Sequence, residues 1–280
     1  MKIISLYPNP SRDPTLARTA KVIEKLSAFA GELRLEKCYA DMPSLAPYSK
    51  TLCFVSREEL FSAELLITLG GDGTILSVAE EAAKAEIPIF GINFGNVGFM
   101  TSLEEKELAK LPLLLEKELP VSSRMMLECT VGDQTFYALN EFVIAPERGF
   151  HIVDLDLFTG RKKLCHFRAD GVIFNTPTGS TGYSFSAGGA VQDANFDSIG
   201  VKAVSSYLLI NAHHMIFSPE TVFTVKGAAG DGGKITVCAD GKTEKAITPA
   251  DTVRIRRAKH RLKLIFLKPQ SNLEVFFRKF

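Results

Sequence analysis

The sequence predicts an α/β N-terminal domain with a mostly parallel sheet, followed by a β-rich, sandwich-like C-terminal domain. Up to about residue 119, apolar strand patterns alternate with segments of helical period. From about residue 120 onward, strand patterns follow one another, most of them separated by turn residues. The length, 280 residues, suits two domains of ordinary size.

In the first part, residues 2–7 read as a buried strand. Asp13-Pro14 reads as a helix start, with Asp13 as N-cap and Pro14 in the first turn. Leu16, Ala20, Ile23, Leu26 and Ala30 follow near helical spacing, and Gly31 suits the stop. Residues 64–69 form the next strand, which runs into Gly70-Gly71-Asp72-Gly73-Thr74. A helix is expected after it, with Ile75, Val78, Ala79 and Ala82 on one face. Residues 87–92 are another strand, and Ser102-Leu103-Glu104-Glu105 reads as a capping box opening a helix that Pro112 breaks or kinks.

In the second part, residues 124–131, the turn Gly132-Asp133 and residues 134–145 predict a hairpin. Asp154-Leu155-Asp156-Leu157 alternates like a strand with one wet face. Residues 207–212, 221–226, 234–240, 252–258 and 261–267 are further strands, and Asp231-Gly232-Gly233 reads as a hairpin turn. The boundary falls near Pro120, giving an α/β domain over 1–119 and a β-rich domain over 120–267.

Composition excludes several classes of function. Lys plus Arg number 33 and Asp plus Glu 32, a net charge of +1, so there is no sequence-independent pull toward nucleic acid or an anionic membrane. The run Arg254, Arg256, Arg257, Lys259, Arg261, Lys263 alternates with apolar residues and reads as the wet faces of two strands. The five cysteines are scattered and form no CxxC pair, which points to a reducing, cytoplasmic setting. No apolar run reaches membrane-spanning length and the N-terminus lacks a signal-peptide pattern.

Three segments carry chemistry. Gly70-Gly71-Asp72-Gly73-Thr74 joins a buried strand to a helix, the place where open α/β sheets bind ligands. Its glycines let backbone N–H groups approach phosphate oxygens. A carboxylate in such a loop repels phosphate, so Asp72 makes sense facing a hydroxyl that loses a proton, or a cation beside the phosphates. The spacing is neither a P-loop nor a GxGxxG fingerprint. The second segment runs from Asp170 through Thr176-Pro177-Thr178-Gly179-Ser180-Thr181-Gly182-Tyr183-Ser184 and offers many hydroxyl and backbone donors. It also reads as an ordinary polar loop. The third, Asn140-Glu141, ends a hairpin strand; by itself it reads as a solvated strand end. Adjacent His213 and His214 point apart on a strand and make a poor metal pair.

In this order the segments resemble the NAD kinase family. The resemblance covers most of the chain: GGDGT at Gly70–Thr74, a GxxGF-type segment at Gly95–Phe99, Asn140-Glu141, RxDGxxxxTPTGSTxY from Arg168 to Tyr183, Ser186-Ala187-Gly188-Gly189, and Asp240-Gly241. GGDGT alone also occurs in lipid kinases; the TPTGST stretch beside it is far more specific. The resemblance implies a Rossmann-like first domain, a β-rich second one with NAD between them, and a tail (about 268–280) that packs back on the first domain. It implies a Mg²⁺-dependent, or other divalent-cation-dependent, phosphoryl transfer from ATP or polyphosphate to the adenosine ribose 2'-hydroxyl of NAD. Asp72 would accept the hydroxyl proton, with Gly73 against the ribose or phosphate. Asn140, Glu141, Arg168, Asp170, Thr178, Thr181, Gly182, Tyr183, Ser184 and Ser186 would line the NAD site, and His151 and Lys242 lie near positions that touch NAD in relatives. A homodimer or homotetramer is expected. The sequence departs from the family at Gly182 (usually Ala), Ala190 (usually Pro), Met100 (often Tyr or Leu), and in residues 209–219, where a PxxPH-type stretch is degraded and His213 keeps the histidine if Pro219 anchors the alignment. Two alternatives stay open: an NAD(P)-binding sensor without catalysis, and a GGDGT lipid kinase.

Overall fold

In a computed structural model, which describes residues 2–95, 98–116, 118–147, 151–207, 213–229, 234–269 and 271–279, the chain opens with strand β1 (Ile3–Pro8) and helix α1 (Ala17–Ser27). The helix starts at Ala17, later than Asp13-Pro14 predicts, because Leu16 takes a left-handed conformation (φ 54°) just before it. Asp13 still satisfies the helix start from farther back. Its carboxylate accepts from the Arg18 and Thr19 N–H groups at 3.3 and 2.8 Å and from the Thr19 hydroxyl at 2.7 Å.

Two strands absent from the sequence-based expectation follow, β2 (Glu32–Glu36) and, at the sheet edge, β3 (Leu52–Val55). Helix α2 (Arg57–Leu60) opens on a Ser56–Glu59 capping box. Strand β4 (Leu65–Gly70) leads to α3 (Asp72–Leu76), α4 (Ala79–Lys84) and β5 (Ile89–Asn93). The single helix expected after GGDGT is therefore two short ones. Ser77 Oγ turns back to the Thr74 carbonyl at 2.8 Å, and Val78 leaves helical geometry (φ −125°, ψ 3°). The predicted face is nonetheless right: Ile75, Val78, Ala79 and Ala82 are all buried. The capping box expected at Ser102 is also displaced. Leu103–Glu104 form a short strand, β6, paired to β5, and Glu104 precedes a 3-10 turn over Glu105–Lys110. A last short helix, α5 (Leu113–Glu116), follows Pro112.

Strands β5, β4, β1, β2 and β3 pair in that order, all parallel. Strands β4 and β5 are buried along their whole length, as expected of a parallel sheet covered on both faces. The order runs outward in both directions from the β1/β4 pair, so the loops leaving the carboxyl ends of β1 and β4 diverge there. This is the switch point at which open α/β sheets form a crevice. It brings Asn9 and Arg12, after β1, beside GGDGT, after β4.

The second unit is antiparallel. Its strands are β7 (Val121–Val131), β8 (Gln134–Ala138), β9 (Glu141–Pro146), β10 (Val153–Thr159), β11 (Lys162–Ala169) and β12 (Gly171–Asn175). After helix α6 (Tyr183–Ser186) come β13 (Ile199–Val204), β14 (Met215–Phe217), β15 (Phe223–Ala229), β16 (Ile235–Ala239), β17 (Lys242–Ile247) and β18 (Val253–Ile265). Helix α7 (Asn272–Lys279) ends the chain. Strands β14-β13-β12-β9-β16-β17 form one sheet, and β11-β10-β15-β18 with β7 and β8 lie in the other. Both face one apolar core, where Phe174 of β12 and Phe223 of β15 sit with ring centroids 5.5 Å apart.

Two expectations change here, and two more fall outside the described residues. The returning hairpin strand over 134–145 is two strands, β8 and β9, in different sheets, broken at Leu139-Asn140. The strands over 252–258 and 261–267 are one continuous strand, β18, whose buried face shifts phase between Ile255 and Ala258. Residues 208–212 and Asp231-Gly232-Gly233 lie outside the described residues, and Tyr207, at the start of the first segment, is 78% exposed in a bend. By contact density, Met1–Ser123 groups with Arg261–Phe280, and Arg124–His260 forms the second unit. Within the first unit the Leu267 N–H donates to Ser102 Oγ at 2.8 Å, and Val275 of α7 is buried.

Candidate active site

Asp72 is the first residue of α3, and its carboxylate is held by the backbone of a segment nearly thirty residues away. Oδ2 accepts from the Phe99 N–H at 2.7 Å and Oδ1 from the Met100 N–H at 3.0 Å. An ionised carboxylate has about four lone-pair sites, so two stay available to a substrate proton or a cation. Thr74 Oγ1 knots the loop: it accepts from the Gly71 N–H at 3.2 Å and from Asn9 Nδ2 at 3.0 Å. Asn93 Oδ1 accepts from the Gly95 N–H at 2.9 Å, and the Arg12 guanidinium lies beside Gly95.

These groups surround a cavity of about 250 Å³ lined by Asn9, Arg12, Asp72, Gly73, Asn93 and Gly98 among others. Sequence reading found Asp72 and Gly73 but missed Asn9, Arg12 and Asn93. The switch-point rule, applied to the loop after the first strand, points to the first two. The helix that follows contributes little field at its N-terminus, because α3 has only five residues. Positive charge at this corner comes from Arg12, an exposed guanidinium on the cavity wall.

A second corner forms in the other unit where the chain crosses from β8 to β9. Asn140 and Glu141 sit at the crossing, against the loop that leaves β12. Asn140's carbonyl accepts from the Thr176 N–H at 2.9 Å, and Leu139's from Thr176 Oγ1 at 2.6 Å. Gly179 lies directly on the Asn140 backbone, and Gly182 faces the Glu141 carboxylate. The Tyr183 N–H bonds that carboxylate, yet its Oε2 is buried without a partner among the described residues. Burial, and then the neighbouring Asp240 carboxylate, push Glu141 up to about 8.

That shift makes stability depend on pH. A carboxyl whose folded-state value lies above its ordinary one binds a proton on folding, so stability is full below about pH 4.5 and is lost as pH rises toward about 8. Glu141→Gln, which mimics the protonated form, is expected to flatten that part of the melting-temperature profile. Identical slopes for variant and parent between about pH 5 and 8 would contradict the assignment.

The remaining sequence-predicted residues divide. Thr178 and Ser184 are buried in the loop beside Asn140, Thr181 is partly buried, and Tyr183 and Ser186 are exposed. Arg168, near the end of β11, and Asp170, just before β12, lie at the opening end of β12, whereas this loop leaves its other end, roughly 15–20 Å away at about 3.3 Å per residue. Arg168 stacks 5.8 Å from the Tyr207 ring. His151 is exposed just before β10, and Lys242 is exposed at the start of β17. His213 is exposed; the neighbouring His214 is the engaged one, its Nδ1 accepting from the Ala190 N–H at 2.9 Å. A proline at 190 has no N–H to give.

Comparison with known proteins decides what these corners belong to. The family model described as the ATP-NAD kinase N-terminal domain matches residues 18–118, and that of the ATP-NAD kinase C-terminal domain matches residues 139–267. An NAD kinase of Natranaerobius thermophilus is 32% identical over 277 residues, covering 97% of this chain and 95% of that protein. The chain belongs to the NAD kinase family. An NAD kinase of Haemophilus influenzae is 34% identical over 275 residues, covering 95% of each. Among solved structures, yeast NADH kinase complexed with NADH aligns with a TM-score of 0.82 at 20% identity, covering 95% of this chain and 83% of that one. An Archaeoglobus fulgidus NAD kinase in complex with ATP aligns at 0.73 and 23% identity, covering 100% and 98%. These two establish the likeness of fold. Membership in the NAD kinase family sets the lipid-kinase reading aside.

Proposed function

We propose that the protein transfers a phosphoryl group from ATP, or polyphosphate, to the adenosine ribose 2'-hydroxyl of NAD, giving NADP. The observation that carries this reading is Asp72: a carboxylate oriented by two backbone N–H groups, with free lone pairs, on the wall of a cavity at a parallel-sheet switch point. Asp72 accepts the hydroxyl proton as that oxygen attacks the terminal phosphorus and the bond to the leaving phosphate breaks. Arg12 places positive charge against the donor phosphates. Gly73 leaves room for the ribose.

Asn140 and Glu141 hold parts of NAD, and the unpartnered Glu141 Oε2 is the atom best placed to meet a ligand hydroxyl. Thr178, Thr181, Gly182, Tyr183, Ser184 and Ser186 form the loop against the dinucleotide. Arg168, Asp170, His151 and Lys242 contact its outer reaches.

The residues present fit Mg²⁺. Among the described residues no group of three or more His, Cys, Asp and Glu side chains makes a cage, and the cavity offers one carboxylate, Asp72. Mg²⁺ is commonly held that way, by one or two carboxylates with substrate phosphates and water. When bound, it supplies charge neutralisation on the phosphate oxygens. Five free cysteines support a reducing, cytoplasmic setting, and a homodimer or homotetramer completes the reading. No helix among the described residues is long and apolar enough to cross a membrane.

The test compares donors and metal. Purified protein with NAD forms NADP when given ATP or polyphosphate together with Mg²⁺, and stops on chelation. NAD binding without turnover on any donor would favour the sensor reading instead.

A further inference from the structure

The sequence pattern includes Asp240-Gly241 without assigning it a task. In the structure these residues make the turn between β16 and β17, both with left-handed φ, 46° and 81°. The turn aims the Asp240 carboxylate at the sheet crossing a hundred residues earlier. Oδ2 accepts from the Leu139 N–H at 2.8 Å; Oδ1 accepts from the Asn140 and Glu141 N–H groups at 2.8 and 3.0 Å. Asp240's own N–H donates to the Glu141 carbonyl at 3.0 Å. Three successive amides, at the break before β9 and at its first residue, thus converge on one carboxylate, an anion-binding nest filled by a side chain.

The other side of the same segment is pinned by Thr176, through the Leu139 and Asn140 carbonyls. Between these two clamps the backbone of residues 139–141 has no freedom to turn, and the directions of the Asn140 and Glu141 side chains follow from it. Burial pushes the Asp240 carboxyl up, and the three N–H donors pull it back.

We propose that Asp240 is a positioning residue for NAD: its carboxylate clasps the Leu139–Asn140–Glu141 backbone and presets the corner that receives the dinucleotide. This rests on reading that corner as part of the NAD site. Asp240 itself touches no substrate. Replacing it therefore weakens NAD capture while leaving the phosphate-donor corner, in the other unit, as it was.

Two measurements test this. In the unaltered protein, hydrogen exchange at the Leu139, Asn140 and Glu141 amides is followed with NAD, with ATP, and with neither. Binding and clasp are reciprocally linked, so NAD slows exchange at these three amides and ATP does not. In steady-state kinetics, Asp240→Asn keeps one acceptor oxygen but turns an amide NH₂ toward one of the three donors. It raises KM for NAD about tenfold or more and leaves KM for ATP within about twofold, because a buried N–H loses its charged partner. Asp240→Ala goes further in the same direction. The proposal is overturned if NAD leaves the three amides unchanged, or if Asp240→Asn moves both KM values together. If Asp240→Ala does not fold, exchange in the unaltered protein and Asp240→Asn still decide. A parent protein that forms no NADP overturns the functional reading, whereas its exchange response to NAD still judges the clasp.

Discussion

Asp72→Asn is expected to lower turnover by about 10²–10⁴-fold while NAD still binds, the range for loss of a general acid–base group. An amide cannot take up the proton that the attacking hydroxyl gives away. The structure adds a second consequence, because Asp72 also anchors the Phe99 and Met100 N–H groups. An asparagine offers one acceptor oxygen where two are used, so its NH₂ faces an N–H and the segment at Gly98–Met100 loosens. Gly98 shows how tight that contact is: a Cβ there would overlap the Asp72 carboxylate. Kinetics should therefore be read with separate NAD and ATP binding measurements. Turnover near the parent level in Asp72→Asn would remove the proton-acceptor role.

Gly179→Ala is expected to be the most damaging small change outside that corner. A Cβ at 179 would lie 2.7 Å from Asn140 Cα and closer still to its carbonyl. The obstacle is backbone, held by Thr176 on the carbonyl side and by Asp240 on the amide side, so it cannot swing away as a side chain would. Overpacking of this kind costs about 1–3 kcal/mol. For a chain of this size, that lowers the melting temperature by about 2–5 °C, and KM for NAD rises with it because Asn140 and Glu141 are displaced. An alanine variant with the parent's melting temperature and KM would show that the loop does not rest on Asn140 as described.

The sequence made some of this legible because the signals are local. The buried strand before GGDGT, the apolar face after it and the turn at Gly132-Asp133 each follow from neighbours within a few residues. Strand β2 carries a local signal too: Leu33 and Leu35 alternate with Arg34 and Glu36 over a short two-residue period. What the sequence hid depends on distance along the chain. Nothing near Asp72 announces Phe99 and Met100 as its partners, and nothing near Asn140 announces Asp240.

Breaks within elements were hidden for a different reason. The helix after GGDGT keeps its apolar period across Ser77-Val78, so the period cannot reveal that a serine hydroxyl has captured a carbonyl. Strand β18 poses the reverse problem. Its phase shift near Ala258 looks like a turn in sequence, although the strand runs on. At Asn140-Glu141 the polarity of both residues made a solvated end the natural reading. Glu141 is instead 7% exposed, which only the crossing between two sheets explains.

The most direct measurement is a coupled assay. Purified protein is incubated with NAD, ATP and Mg²⁺, and product is read through a dehydrogenase that accepts NADP but not NAD, with Asp72→Asn in parallel. The account predicts steady NADP formation by the parent and its near-complete loss in the variant. No NADP from the parent with either ATP or polyphosphate, despite measurable NAD binding, would contradict it.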